Sequence, residues 1–319
     1  LQRRQTLYAY PHFLGYSLQR TVGFSDYNAM QVTLDRKFAQ GLQLNAHYTW
    51  SKATQFSNSE AQSNGFDDGA GTFNFDLVDF RNNKWIATSD IPHRFVTSYV
   101  YELPFGRGQM FDTGNPVLRA VLGGWRTGGS VTLQTGTPDN VAGVANGSLN
   151  GQGKRLEGVP IEVPKELQRW YDGRTTVTLP SGRRITPGAF TFLRYSSDAF
   201  QGQTVTAANG TLQRDVFWRG NTPTHLDEIR NPNVYLWNAS VQRTFSFGER
   251  YGLEFAAYFM NALNTPIFFN TSGGLGNTEI RNDPARGILP GYGDNPNFGT
   301  YGTPTLDPRQ VEFALKFRF

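Results

Sequence analysis

Cysteine is absent from this chain of 319 residues, which excludes a disulfide scaffold, a thiolate zinc site and a cysteine nucleophile. Histidine is scarce, and its four residues do not have the spacing of a metal-binding motif. No GxSxG elbow or phosphate-binding Walker loop is present either. We therefore expect no enzymatic activity, no cofactor and no metal ion. Basic residues are scattered and the formal net charge is +4, so no nucleic-acid partner is expected.

Long apolar runs are also missing, because no stretch reaches the roughly 18 residues that a transmembrane helix requires. Aromatic residues nevertheless make up 14% of the chain, while its mean hydropathy is −0.47. A polar chain with so many rings needs an unusual environment for them, and the aromatic girdle of a membrane β-barrel is one such environment. The 35 glycines and 17 prolines are typical of many turns and long loops.

Seven segments alternate between apolar and polar residues, which predicts strands with two different faces. On one face 30 of 35 positions are apolar or aromatic, against 5 of 28 on the other and 38% in the whole chain. The two faces therefore contact different surroundings, with Leu44 and Tyr48 on the apolar face and His47 on the polar one. The predicted strands are 30–38, 42–50, 95–103, 125–133, 237–245, 251–259 and 311–319.

The connections between these strands alternate between shorter and longer, with lengths of 3, 44, 21, 103, 5 and 51 residues. Antiparallel neighbours place alternate connections at opposite ends, so the shorter ones share one end and the longer ones share the other. Short periplasmic turns and long extracellular loops are typical of outer-membrane barrels. The predicted fold class is all-β, an antiparallel transmembrane β-barrel, with long extracellular loops at about 51–94, 134–236 and 260–310.

Seven strands do not close a bacterial barrel, which has an even number of strands and at least about eight. The segment 16–21 is a weaker candidate for an eighth strand. We therefore expect residues 1–319 to be the C-terminal part of a larger barrel. The loops are too long to be passive connections in a compact domain, so we expect them to serve in binding or gating.

Two arginines, Arg36 and Arg243, fall on the apolar face of their strands. Both lie near the short-turn end and two residues from an aromatic residue. A lipid-facing arginine costs about 0–1 kcal/mol near the interface, against about 2–4 kcal/mol at the midplane. Both arginines therefore lie where the penalty is small, and their side chains are long enough to reach the lipid headgroups.

Five segments resemble the C-terminal barrel of TonB-dependent receptors: DYNAMQVTLDRKFAQGLQLNAHYTWSKA, DIPHRFVTSYVYELPFGRG, LGGWRTGGSVTLQTGTP, LWNASVQRTFSFGERYGLEFAAYFMNALNTP and FGTYGTPTLDPRQVEFALKFRF. The sequence is similar to large, Oar-like receptors that carry an N-terminal carboxypeptidase-regulatory-like domain. The resemblance implies a Gram-negative outer membrane, a barrel of about 22 strands, an N-terminal plug, and nutrient import powered through TonB. These residues contain neither a plug nor a TonB box, so coupling to TonB rests on the resemblance and on an N-terminal region beyond them.

Three groups of residues are candidates for functional roles. The last strand ends in Leu315, Phe317 and Phe319. These residues resemble the C-terminal aromatic signal that the barrel assembly machinery recognises. The aromatic girdle at the edges of the outer-membrane lipid is expected to include Tyr48, Trp50, Tyr99, Tyr101, Trp125 and Trp237. Rings in the longest loop either stack on a nutrient such as an oligosaccharide or a peptide or pack a core within the loop, and these are Trp170, Tyr171, Tyr195 and Trp218.

Two other functions are compatible with the sequence. A surface adhesin or anchoring barrel has the same strands and binds partners with its loops, without transport. A secreted, soluble β-sandwich that binds glycans requires the aromatic faces to be buried between two sheets. Covering of Leu44, Phe255 and Phe313 by a second layer of protein would favour the sandwich.

Removal of Phe319 from the full-length protein is expected to impair assembly, because the terminal ring is part of the proposed recognition signal. The amount of protein in isolated outer membranes, measured by immunoblot, tests this expectation. Phe319→Tyr keeps the ring and should accumulate normally. Wild-type amounts of the shortened protein would exclude the role.

Overall fold

The computed structural model describes residues 24–56, 84–106, 108–112, 114–140, 154–201, 204–206, 212–214, 221, 225–248, 250–268, 299–302 and 307–319. Seven long strands form one antiparallel sheet in which each strand pairs with the next along the chain. They are β1 (Ser25–Ala39), β2 (Leu42–Gln55), β3 (His93–Glu102), β4 (Trp125–Gln134), β5 (Val234–Phe247), β6 (Tyr251–Met260) and β7 (Gln310–Arg318). The predicted all-β antiparallel fold is confirmed, while the candidate strand 16–21 lies outside the described residues.

The register of the sheet gives an independent test of the predicted faces. One row of partners crosses all seven strands and contains Arg36, Leu44, Tyr99, Gly129, Ala239, Phe259 and Val311. All seven belong to the face that the sequence assigns to lipid, so the apolar faces of the seven strands form one continuous surface. The row begins near the short-turn end of β1 and ends near the loop end of β7, as expected for the staggered strands of a barrel wall.

The apolar face is not covered by a second sheet in the part of the chain that the structure describes. Trp50, Leu133 and Phe313 are 55%, 39% and 68% exposed. Leu44 and Phe255 are half-buried, and the rings around Phe255 include Phe313, which lies on the same face. A β-sandwich would bury these side chains, so the arrangement favours a lipid-facing wall.

The strands extend further at the loop end than the sequence predicts. β2 continues to Gln55 instead of ending at Trp50, and β5 begins at Val234 instead of Trp237. The extra residues of β2 place Lys52 and Thr54 on the outward face, where the apolar alternation has already ended. The hydrogen-bonded ladder therefore continues beyond the apolar band.

The turn between β1 and β2 consists of Gln40 and Gly41, which have φ angles of 53° and 78°. Positive φ at both central residues is the requirement of a type I′ hairpin turn, which matches the twist of the flanking strands. Glycine meets this requirement without steric cost, so the shortest connection of the chain has a local cause.

The turn between β3 and β4 contains a short helix that the sequence analysis did not predict, α1 (Pro116–Leu122). Asn115 caps its N-terminus by accepting hydrogen bonds from the backbone N–H groups of Val117 (2.9 Å) and Leu118 (3.4 Å). Pro116 occupies the first turn, where its missing N–H is not needed. No helix among the described residues is long and apolar enough to cross a membrane.

The two outward arginines bind backbone and side-chain groups of the short turns. Arg36 donates to the carbonyl of Ala39 and to Oε1 of Gln40, both at 3.3 Å. Arg243 donates to the carbonyls of Ala120 and Val121 near the end of α1. Protein carbonyls are therefore partners of both guanidinium groups, and their contact with headgroups stays a prediction.

The remaining secondary structure is short and lies mostly in the long loops. Trp85–Ile86 pairs with the end of β2, and within the described ranges Lys165–Leu167 and Ser197–Ala199 form 3-10 helices. The other short strands are Pro138–Asn140, Lys154–Arg155, Trp170–Asp172, Val177–Thr178, Arg184–Ile185, Ala189–Leu193, Phe200–Gln201, Thr204–Thr206, Leu212–Arg214, His225–Arg230 and Thr300–Tyr301.

Gly129, in the middle of β4, is tightly enclosed on the outward face. A Cβ atom at this position would lie 2.3 Å from the carbonyl oxygen of Asn238 and 3.2 Å from the hydroxyl of Tyr99. Trp237 Nε1 donates to that hydroxyl at 3.2 Å, so the two large side chains meet across the glycine. The close packing of the wall at this point therefore requires a residue without a side chain.

We expect Gly129→Ala to destabilise the wall by about 1–3 kcal/mol, the range for overpacking. Gly252→Ala in β6 is the matched control, because its Cβ would have no neighbour closer than 3.9 Å. Urea unfolding of both variants in phospholipid bilayers measures the difference. Equal urea midpoints for the two variants would show that the wall adjusts around Gly129 without loss of unfolding free energy.

Candidate functional site at the extracellular end

Two of the long loops form a common folded unit above the strands. The strands Trp170–Asp172 and Ala189–Leu193 belong to the loop between β4 and β5, and Thr300–Tyr301 belongs to the loop between β6 and β7. They form one three-stranded sheet with Ala189–Leu193 in the centre. We call residues 154–201, 225–230, 268 and 299–302 the cap.

The cap contains two clusters of buried apolar side chains. The first cluster consists of Ile161, Tyr195, Ala199, Phe200, Ile229, Phe268 and Tyr301. The second consists of Val163, Tyr171, Val177, Leu179, Ile185 and Leu193. Because buried apolar surface drives folding, these clusters hold the loops in a defined structure.

Arg230 connects the cap to the barrel wall. Its Nη2 donates to Oδ2 of Asp90 at 2.7 Å, and its Nη1 donates to the carbonyls of Asp90 (3.1 Å) and Gly136 (3.2 Å). The Asp90 side chain is fully buried, and its second oxygen accepts from the backbone N–H of Ala53 on β2. Arg230 therefore joins the loop between β2 and β3 to the loop between β4 and β5.

The backbone of Arg230 also binds the third long loop, which connects β6 to β7. Its carbonyl accepts hydrogen bonds from the hydroxyls of Tyr195 (2.8 Å) and Tyr301 (2.7 Å), and its N–H donates to the Tyr195 hydroxyl at 3.0 Å. Burial raises the pKa of Tyr195 and raises that of Tyr301 well above its usual value. Both rings therefore keep their hydrogen-bonding protons at neutral pH.

A partly exposed ion pair extends this network toward solvent. Lys52 on β2 bonds Asp227 at 2.7 Å, and Asp227 also accepts from Arg230 Nε at 3.1 Å. Burial opposes ionisation of Asp227, but the bonds from Lys52 and Arg230 outweigh it and lower its pKa. The stabilising contribution of this carboxylate is therefore present at neutral pH and is lost as the pH falls through its lowered pKa.

The proposed loop contacts have different environments. Tyr171 and Tyr195 are 5% and 0% exposed within the two clusters, so both rings pack a loop core, one of the two alternatives that the sequence left open. Trp170 is half-exposed, and one side of its ring contacts Phe192 and Phe268, with centroids 5.8 Å away in each case. It remains a candidate for ligand contact, whereas Trp218 lies outside the described residues.

The most exposed aromatic ring of the cap was not identified from the sequence. Phe190 is 85% exposed and has a φ of 57°, an unfavourable conformation for a bulky residue. It lies where the pairing with Trp170–Asp172 shifts register, and such bulges redirect side chains at functional sites. No local sequence signal marks this position, because the strain arises from the pairing of two distant strands.

The six residues proposed for the girdle all lie on the outward face of the wall: Tyr48, Trp50, Tyr99, Tyr101, Trp125 and Trp237. Tyr48 and Trp50 lie toward the loop end, and the Tyr48 hydroxyl hydrogen-bonds His93 Nδ1 (2.9 Å). Tyr99 and Trp237, which bond each other, flank the centre of β4 instead of its end. Their girdle role remains a prediction.

The proposed assembly signal lies on the outward face at the end of the last strand. Leu315, Phe317 and Phe319 are 69%, 56% and 94% exposed. Phe319 follows directly after β7, and its ring stacks on Phe317 with centroids 6.3 Å apart. The three side chains are accessible, and their recognition by the assembly machinery remains a prediction.

The inner face of the wall is polar. Thr33 bonds His47 Nδ1 at 3.1 Å, and Arg318 bonds Glu254 at 2.6 Å. A groove of about 420 Å³ crosses β4 to β7, and its lining combines the polar groups of Ser130, Asn238, Ser240 and Glu312 with apolar groups that include Ala239, Phe259 and Met260. This face is therefore suited to contact water or a polar solute. In the described ranges, no cluster of three or more His, Asp or Glu residues has the arrangement of a metal site.

Arg230→Gln should release the cap from the wall, because it leaves the buried Asp90 carboxylate without its partner, a change that costs about 3–5 kcal/mol. Hydrogen exchange of the cap amides measures the loss of protection. Arg126→Gln is the control: it breaks the Arg126–Glu102 pair (3.9 Å), in which both side chains are about half-exposed, and should cost at most about 1 kcal/mol. Equal exchange in the two variants would contradict the role of Arg230.

The comparisons with known proteins agree with the wall described above. The model of the family described as Outer membrane beta barrel domain matches residues 1–312. No curated protein matches the sequence. The family match covers nearly the whole chain, and the paired strands carry an apolar outer face and a polar inner face. The chain therefore belongs to the outer membrane beta barrel domain family, and its location is the outer membrane.

Proposed function

We propose that this protein is a TonB-dependent receptor that binds a nutrient on the cap and imports it through the lumen of the barrel. The observation that carries the proposal is the cap itself, whose two loops are tied at Arg230 to each other and to the loop between β2 and β3. Loops that have their own apolar cores and a buried ion pair form a folded unit, which a simple connection between strands does not require. A folded unit above a barrel is placed to capture a ligand before it enters.

The polar inner face supports the second part of the proposal. The groove across β4 to β7 offers hydroxyl, amide and carboxylate groups, including those of Ser240, Asn238 and Glu312. Such groups replace the hydrogen bonds that a polar solute makes with water. A polar nutrient that leaves the cap would therefore find hydrogen-bonding partners on the inner face of the wall.

The exposed rings of the cap favour an oligosaccharide as the nutrient. Phe190 is on the central cap strand, and the neighbouring Phe192 pairs with Trp170. Aromatic faces stack on the apolar faces of sugar rings, and an aromatic side chain has only two χ angles, so it loses little conformational entropy on binding. A peptide with aromatic side chains is the second ligand class that this surface fits.

The resemblance to Oar-like TonB-dependent receptors is the basis for the proposed energy source and for the remaining proposed partners. We propose a barrel of about 22 strands, a plug and a TonB box contributed by an N-terminal region, and assembly by the barrel assembly machinery. An adhesin or anchoring barrel would use the same exposed rings without transport. The two functions differ in whether a bound ligand enters the cell.

Phe190→Gly is expected to weaken ligand capture several-fold without loosening the cap, because glycine adopts a positive φ freely. Phe190→Tyr keeps the ring and is the matched control. Cells that produce the full-length protein are given fluorescein-labelled oligosaccharides or peptides, and bound and internalised label are measured with and without a proton uncoupler. Uptake that depends on Phe190 and stops with the uncoupler is the expected result.

Two outcomes would contradict the proposal. Binding that depends on Phe190 without any uncoupler-sensitive uptake would indicate an adhesin. Uptake that is equal in wild type and Phe190→Gly would show that the exposed ring of the cap does not contact the nutrient. Hydrogen exchange of the cap in each variant confirms that the fold is intact.

A further inference from the structure

The helix α1 is apolar on nearly every side, although it is exposed. Its sequence is PVLRAVL, and Arg119 is its only charged residue. Val117 and Val121 are 67% and 57% exposed, and Leu118 and Leu122 are exposed as well. None of its residues is buried. A helix that is hydrophobic all round is normally buried in protein or in a membrane.

The single charge of α1 is neutralised within the turn. Arg119 forms a two-point ion pair with Asp112, with Nη2 at 2.9 Å from Oδ2 and Nε bonded to Oδ1. The hydrogen bond from Arg119 contributes most to the lowered pKa of Asp112, which also accepts from the N–H groups of Gly108 and Gly114. The pair holds the guanidinium group against the turn, so the helix presents mostly apolar side chains to its surroundings.

The end of α1 is fixed to the lipid-facing side of the wall. Trp125 on β4 donates from Nε1 to the carbonyl of Val121 at 2.9 Å. Arg243 on β5 donates to the carbonyls of Ala120 and Val121, and its guanidinium group lies 4.3 Å from the ring centroid of Phe245. All three of these strand residues belong to the outward face. The apolar surface of α1 is therefore continuous with the surface that contacts acyl chains.

We propose that α1 lies in the periplasmic leaflet of the outer membrane, with Val117, Leu118, Val121 and Leu122 inserted at the boundary between headgroups and acyl chains. The occupant is a phospholipid leaflet because the exposed face continues the lipid-facing wall and presents no unpaired charge to a partner. Short turns are periplasmic in this class of barrel, and interfacial helices insert by about 5–10 Å. The turn thus serves as a lateral anchor at the inner rim of the barrel.

Single spin labels test this directly, because residues 1–319 contain no cysteine and any cysteine of the N-terminal region is first replaced by serine. Val117→Cys and Val121→Cys are labelled in the full-length protein, in native outer membranes and in phosphatidylethanolamine–phosphatidylglycerol vesicles. Gln109→Cys, at an exposed site of the same turn, is the matched control. Collision rates with oxygen and with a water-soluble nickel chelate are measured by electron paramagnetic resonance.

We expect the labels at 117 and 121 to be several-fold less accessible to the nickel chelate and more accessible to oxygen than the label at 109, in both preparations. Equal access of the chelate to all three labels in vesicles would overturn the proposal. Protection in native membranes alone would overturn it in favour of a periplasmic protein partner. Spin–spin broadening that persists on dilution with lipid would overturn it in favour of contact between two copies.

Discussion

A backbone that crosses hydrocarbon must satisfy all of its N–H and C=O groups within the protein, since lipid offers no hydrogen-bonding partner. In this chain the seven long strands satisfy one another through consecutive antiparallel ladders. The same geometry sends alternate side chains to opposite sides of the sheet. This one constraint separates the apolar residues of the outer face from the polar residues of the inner face, and it places the short turns at one end of the strands and the long loops at the other.

The charged and polar groups of the wall are organised around the two ends of the strands. At the short-turn end, Arg36 and Arg243 bind groups of the turns, so neither guanidinium group depends on lipid for its partners. At the loop end, the Arg230 side chain bonds the buried Asp90, and its backbone carbonyl accepts hydrogen bonds from both tyrosine hydroxyls, which ties the two loops of the cap to the loop between β2 and β3. Lys52 belongs to the same end, on the part of β2 that continues beyond the apolar band. Arginine is suited to these positions because its planar group makes several directed hydrogen bonds.

The sequence predicted the wall better than the ends, for a physical reason. Side chains with a period of two report directly on the two environments of a strand, so the faces of β1 to β7 and their mutual register agree with the prediction. The contacts of Arg230 join residues as far apart as Asp90 and Tyr301, and no local pattern reports such a contact. Phe190 was missed for the same reason, because its strain is imposed by a register shift between cap strands. Helix α1 differs, because Asn115, Pro116 and Gly123 are ordinary signals for the start and end of a helix.

The central claim is that the outer face of this sheet contacts lipid along its length. Single cysteine labels placed in turn from 43 to 49 on β2 of the full-length protein in outer membranes test it most directly. The account predicts an alternation of period two, with positions 44, 46 and 48 accessible to oxygen and positions 43, 45, 47 and 49 accessible to a water-soluble nickel chelate. Access of the chelate to every position, or protection of every position from both reagents, would contradict it.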